Sequence, residues 1–126
     1  MTPPAGADER PPIWVGHVGP LIVRDFAPAI EFYERLGLRL ATDLDHIVSL
    51  EMRGGTHLVL NLGEPAGGEA PFDLMVDDVS ALRDELVAGG LDVGPVERSG
   101  NHERLVVEDP DGYRVRIHDT HVVGPV

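Results

Sequence analysis

The sequence predicts an α+β domain built from two β-α-β-β-β modules in tandem. Two observations carry that reading. The first is an internal repeat: "LIVRDFAPAIEFYERLGLRL" begins at Leu21 and "LMVDDVSALRDELVAGGLDV" at Leu74. The second is alternation in the strand segments, with one face wholly apolar and the other mixed, the mark of strands with one face inside. The chain has 126 residues, 42% of them hydrophobic, enough for one domain with its own core.

The elements follow in order. Residues 1–12, "MTPPAGADERPP", lack the apolar core of a signal peptide and read as a floppy leader. A domain is expected over 13–119, as modules 13–62 and 71–119. In the first, a strand ends near Val23 and Asp25 suits a helix N-cap. Phe26, Ala29, Ile30 and Tyr33 form the apolar stripe of the helix, with Pro28 in its first turn, where a missing N–H costs little. Gly37 suits the left-handed position that ends a helix. "LRLAT", "HIVSLEM", the turn Gly54-Gly55 and "THLVLNL" complete the module. "GEPAGGEAP", Gly63 to Pro71, reads as linker.

The second copy repeats the plan. Val76, Asp78, Gly90 and Leu91 each lie 53 residues after Val23, Asp25, Gly37 and Leu38. Val79, Leu82 and Leu86 are the helix stripe. "LDVGPVE", "HERLVVE", the turn Asp111-Gly112 and "YRVRIHD" are the remaining strands. Alternation sends Leu58, Leu60 and Leu62 to one face and His57, Val59 and Asn61 to the other. Phe72, Leu74 and Val76 likewise oppose Pro71, Asp73 and Met75, and Val115 and Ile117 oppose Arg114, Arg116 and His118. The apolar faces must meet the helix stripes. The mixed faces suit a sheet curled into a cup.

Composition narrows the function. There is no Cys, so neither a disulfide nor a thiolate metal site exists. No apolar run approaches a membrane span. A formal net charge of −12 opposes nucleic acid and anionic membranes and favours a cationic ligand. A cytoplasmic protein is the expectation.

"FYERLGL" after the first Asp, "DLMVDDV" opening the second half and "DPDGYRVRI" near the end, inside the repeat, resemble the vicinal oxygen chelate superfamily. It includes glyoxalase I, bleomycin-resistance proteins, extradiol dioxygenases and fosfomycin-resistance enzymes. The resemblance covers about residues 13 to 119. It implies two modules pairing into a U-shaped, cup-like mixed sheet with helices outside, commonly within a homodimer. It also implies a divalent metal at the cup floor, held by His, Gln or Glu. The matching positions here are Val18, Val59, Pro71 and Arg116. Val, Pro and Arg offer no metal donor, so no metal and no cofactor are expected.

Arg116 stands where the resemblance places a metal-binding Glu, and an Asp73–Arg116 ion pair across the floor is the expectation. A displaced site of His17, His57 and His118 is the alternative, if Pro20 forces a bulge that turns His17 inward. His102 is placed at the rim; His46 and His121 are read as surface or edge residues. The functional reading is a metal-free binding protein similar to the bleomycin-resistance branch, with antibiotic resistance as the implied role. It takes a polar or cationic aromatic compound through Arg116, Arg114, His118, His57, Asn61, Asp73 and Met75, with Trp14 stacking on it. The alternatives are a superfamily enzyme of lyase, transferase or dioxygenase type using the displaced metal or metal-free acid–base chemistry, and an accessory domain with a self-filled cup. The apolar tail "HVVGPV" adds to the expectation of a homodimer.

Overall fold

The computed structural model describes residues 11–100 and 102–119. The leader up to residue 10, His121 and the "HVVGPV" tail lie outside the described residues. The elements are β1 (His17–Val23), α1 (Phe26–Leu36), β2 (Arg39–Asp43), β3 (Ile47–Glu51), β4 (His57–Leu62), β5 (Gly68–Val76), α2 (Val79–Ala88), β6 (Glu97–Ser99), β7 (His102–Glu108) and β8 (Tyr113–Asp119). A short 3-10 turn spans Arg53–Gly55.

Each module forms a four-stranded mixed sheet, ordered β1-β4-β3-β2 and β5-β8-β7-β6. In both, the strand before the helix pairs in parallel with the last strand of the module. The edge strands β1 and β5 lie against each other. This is the paired β-α-β-β-β arrangement the repeat predicts.

The alternation holds. Leu58, Leu60, Leu105, Val107, Val115 and Ile117 are buried on the helix side with Leu21 and Val23. From α2 the expected Val79, Leu82 and Leu86 are buried. The α1 stripe runs differently: Ala29, Phe32, Tyr33 and Leu36 are buried, while Phe26 and Ile30 pack at its margin. Phe32 and Leu36 extend the i, i+3, i+4 ladder from Ala29, so the stripe continues to the C-terminus of the helix.

The helix ends show why the repeat is detectable. Gly37 has φ 112°, and its N–H and that of Leu38 donate to Glu34 O and Tyr33 O. Gly90, φ 86°, and Leu91 donate likewise to Val87 O and Leu86 O. Both are Gly-Leu closures in which the glycine takes the left-handed conformation. The N-caps differ. The Asp78 carboxylate accepts the N–H of Ala81 at 3.0 Å, whereas Asp25 makes no side-chain cap. The position equivalent to Ala81 is Pro28, which has no N–H to give.

Two expectations are corrected, and the bulge that Pro20 suggested in β1 is present. β5 begins at Gly68, so Gly68–Pro71, read as linker, is strand. "LDVGPVE" is not a continuous strand: only Val93 bridges to Val107 and only Glu97–Ser99 pairs with β7, because Gly94-Pro95 interrupts the ladder. In β1 the register shifts between Val18 and Leu21. Gly19 there has φ 105°, and a Cβ on it would lie 2.7 Å from Val59 O. The bulge reverses the alternation, so that Val18 faces the core with Leu58 and His17 faces the other side with His57.

The turn before β8 ties the modules together. Asp109 is 5% exposed. Its Oδ1 accepts the N–H groups of Asp111 and Tyr113, both at 2.9 Å, and its Oδ2 accepts the hydroxyl of Tyr33 at 2.7 Å. The Tyr113 hydroxyl donates to Ile22 O at 2.9 Å and accepts the Ala66 N–H. Burial raises the Asp109 pKa, against the lowering effect of these hydrogen bonds. Burial first, then the Asp109 charge, pushes the Tyr33 hydroxyl well above its ordinary value.

Tyr33→Phe leaves Asp109 Oδ2 without its donor in a dry site. The expected loss is about 1–3 kcal/mol, read from urea unfolding. Asp109 also has a pH signature. Its folded pKa is raised, so its contribution is full below the ordinary carboxylate value and is lost as pH rises through the raised value. Tyr33→Phe removes a group that favours the charged form, so its penalty is larger at neutral pH than in the acid range. An equal penalty at both would show that Asp109 stays protonated throughout.

Candidate functional site

The faces turned away from the helices carry most of the polar and charged strand residues expected at a site. On the first module this face holds His17 of β1, His57, Val59 and Asn61 of β4, and Ile47, Ser49 and Glu51 of β3. His17 and His57 are register partners, with ring centroids 5.9 Å apart. His57 Nε2 is 4.0 Å from Glu51 Oε2, and Glu51 also pairs with Arg39. A hollow of about 440 Å³ opens beside them, lined by Arg39, Glu51, Met52 and the Arg53–Gly55 turn. Its arginines are already matched: Arg39 by Glu51 and Arg53 by Asp77, through bonds of 3.1 and 2.9 Å. The Arg53 guanidinium holds the Asp77 carboxyl below the usual carboxylate range.

The second module is richer. Strand pairing sets side chains in rows across the sheet. One row is Met75, His118, Arg104 and Glu97; the next is Asp73, Arg116 and Val106; a third is Glu69, Arg114 and Glu108. Glu69 joins two arginines. Its Oε1 accepts from Arg114 Nε at 3.1 Å, and its Oε2 lies 3.4 Å from Arg116 Nε. Asp73 Oδ2 lies 3.4 Å from His118 Nε2. The His118 and His102 rings meet edge to face at 6.2 Å, and His102 Nδ1 is 3.3 Å from Asp119 Oδ1.

The expected Asp73–Arg116 pair is therefore replaced. The two are register neighbours, yet Arg116 turns to Glu69 and Asp73 to His118. The cause is the early start of β5, which brings Glu69 onto the same face beside Arg114. Arg116 is also half exposed at 45% rather than enclosed.

Of the other expected residues, Arg114, Arg116, His118, Asp73 and Met75 come together on the second module. His57 and Asn61 lie on the first module with His17. Trp14 is exposed on the stretch before β1, between exposed Ile13 and Val15, and makes no aromatic contact among the described residues. His46 is exposed. The bulge does turn His17 inward, but His118 sits with His102 and Asp73 instead of with His17 and His57. Among the described residues no three His, Asp or Glu side chains converge as metal ligands. The residues present do not fit the metal that the resemblance implies: Val18 faces the core and Arg116 is held by Glu69.

Sequence reasoning missed Glu69, taken as linker, and Arg104. The second was within reach. "HERLVVE" alternates, so Arg104 shares a face with His102 and Val106, and the hairpin through Asp111-Gly112 sets it opposite His118.

A family model described as Glyoxalase/Bleomycin resistance protein/Dioxygenase superfamily matches residues 14–117. No curated protein matches. Among solved structures, a lactoylglutathione lyase from Agrobacterium tumefaciens superposes with TM-score 0.71 at 21% identity, over 86% of this chain and 95% of that one. A bleomycin-binding protein complexed with bleomycin gives 0.66 at 19%, over 86% and 98%. TnmS3, an antibiotic-binding protein from Streptomyces sp. CB03234, gives 0.73 at 23%, over 88% and 98%. At these identities the likeness is one of fold.

Glu69, Arg114 and Arg116 are about half exposed, so their ion pairs are screened by water. Arg116→Ala is expected to lower stability by less than ~1 kcal/mol, measured by thermal unfolding. A loss several times larger would mean that Arg116 is enclosed.

Proposed function

The chain belongs to the Glyoxalase/Bleomycin resistance protein/Dioxygenase superfamily, and from that membership we propose that it is a metal-free small-molecule-binding protein. It acts as one domain over residues 13–119. The ligand is a polar aromatic compound held against the second-module face, and sequestration, as of an antibiotic, is the role. Two neighbours whose names state binding of bleomycin or an antibiotic support this choice over the lyase. The observation that carries it is the Glu69–Arg114–Arg116 cluster at the position where the resemblance puts a metal-binding Glu. A guanidinium is a fixed cation with a planar fork of donors: it repels a metal ion and suits a polar ligand.

The protein is proposed to work as a cytoplasmic homodimer. Exposed Ile13, Trp14 and Val15 on one stretch, with Leu62 at the end of β4, are apolar surface that a second copy would cover. No described helix is long and apolar enough to cross a membrane.

One observation favours an enzyme as the second reading. His118 has a carboxylate, Asp73, at 3.4 Å and is well covered, with its side chain 22% exposed. An imidazole oriented by a carboxylate can act as a general base without metal. His118→Gln separates the readings: an unchanged affinity with lost turnover of a bound compound would favour the enzyme.

The test of the main reading is a thermal-shift screen of aromatic natural products, with hits checked by calorimetry. A hit should bind at one site per face and lose affinity on Arg114→Ala or Arg116→Ala. Elemental analysis of the purified protein should find divalent metal far below one equivalent per chain. About one equivalent of Zn, Ni, Fe or Mn, removed by His57→Ala or His118→Ala, would sink the metal-free reading. Light scattering should give twice the chain mass at micromolar concentration.

A further inference from the structure

Among the described residues, the cations of the second-module face are matched by carboxylates, with one exception. Arg104 lies on β7 between Glu97 of β6 and His118 of β8. It is partly buried, and its Nε is shielded from solvent with no hydrogen-bond partner. No carboxylate stands within ion-pair distance of it among the described residues. Each nearby acid is engaged elsewhere or does not reach: Glu103 accepts from Arg98 at 2.9 Å, Asp73 lies by His118, and Glu69 holds Arg114 and Arg116. Glu97, its register neighbour, forms no ion pair among the described residues.

A guanidinium N–H shielded from water without an acceptor costs stability. It is the kind of rule-breaking group found where a site awaits a ligand. The surroundings indicate which ligand. An arginine fork matches a carboxylate in bidentate geometry. Beside Arg104 on the same face is Val106, 36% exposed, and beyond His118 is Met75, 48% exposed. These are apolar surfaces for a flat body next to a charged head.

We propose that Arg104 anchors the carboxylate of an aromatic acid, whose ring lies over Val106 and toward Met75. The proposal rests on the small-molecule reading above and specifies the group recognised. The overall negative charge governs approach at long range, while Arg104 sets the preference at contact.

The test uses the full chain and three probes: benzoate, benzylamine and inorganic phosphate. Each is titrated and followed by amide chemical shifts. Benzoate is expected to shift residues 102–106 and 116–118 saturably, and benzylamine and phosphate to bind at least tenfold more weakly. Arg104→Met should weaken benzoate at least tenfold, with Arg104→Lys intermediate. Arg104→Met should also melt at or above the wild-type temperature, because it removes an unpartnered buried donor; a merely structural arginine would lower it. Benzoate affinity unchanged in Arg104→Met, or a melting temperature several degrees lower in both variants, overturns the inference. Phosphate binding as well as benzoate overturns the aromatic part. Benzylamine preferred over benzoate overturns the inference and leaves the small-molecule reading standing. Failure of all three probes overturns the inference, and the screen above then judges that reading separately.

Discussion

The Asp109 carboxylate is the constraint on which the arrangement of the two modules depends. It belongs to the turn before β8 in the second module, yet one of its oxygens receives the hydroxyl of Tyr33 from α1 in the first. Its other oxygen shapes the turn by taking the N–H groups of Asp111 and Tyr113. The shaped turn then places the Tyr113 hydroxyl on Ile22 O at the end of β1, and Asp111 Oδ1 on the N–H of Arg24. A buried carboxyl group is tolerated when it is hydrogen-bonded, and here three donors reach it. The hairpin therefore cannot shift along the first module without orphaning a buried polar group. That fixes β8, and with it the row positions of Arg114, Arg116 and His118.

Much of this follows from the amino-acid order alone. The repeat is visible because each helix ends in a Gly-Leu pair with one backbone solution, and the core is visible because strands alternate. What sequence could not supply is lateral geometry. Alternation says that Asp73 and Arg116 share a face, but not which neighbour a flexible side chain selects. That choice turned on Glu69, and Glu69 joined the face only because β5 starts at Gly68 rather than Pro71. A run of Gly, Ala and Pro has weak strand propensity, so pairing with β8 decides its conformation. The bulge at Gly19-Pro20 is a milder case. Its residues signalled an irregularity, and the structure adds the reason: the backbone of Val59 leaves no room for a Cβ at Gly19.

The charge of the chain illustrates the same limit. A net −12 is a property of the whole surface, felt at distances where salt already screens it. The second-module face is organised on a shorter scale. There Arg104, Arg114 and Arg116 stand among Glu69, Asp73 and Glu108, and which cation is matched matters more than the sum. Pairing removes Arg114 and Arg116 from the stock of unmet donors and leaves Arg104.

The fold also explains how such a face can change its chemistry without endangering the protein. The fully buried side chains, among them Val23, Val48, Leu50, Leu58, Leu60 and Val115, all lie on the helix side of the sheets. Hydrophobic burial there supplies the dominant stabilisation. Side chains on the opposite face contribute through partly exposed ion pairs, each worth little. A position on that face can therefore hold a carboxylate, a valine or a guanidinium at small cost, provided that it projects away from the core. β8 shows both halves of this division in seven residues. Tyr113, Val115 and Ile117 hold the sheet to the helices, and Arg114, Arg116 and His118 are left to chemistry. The same strand thus anchors the fold and presents the candidate site, and the two tasks stay separate because successive side chains point in opposite directions.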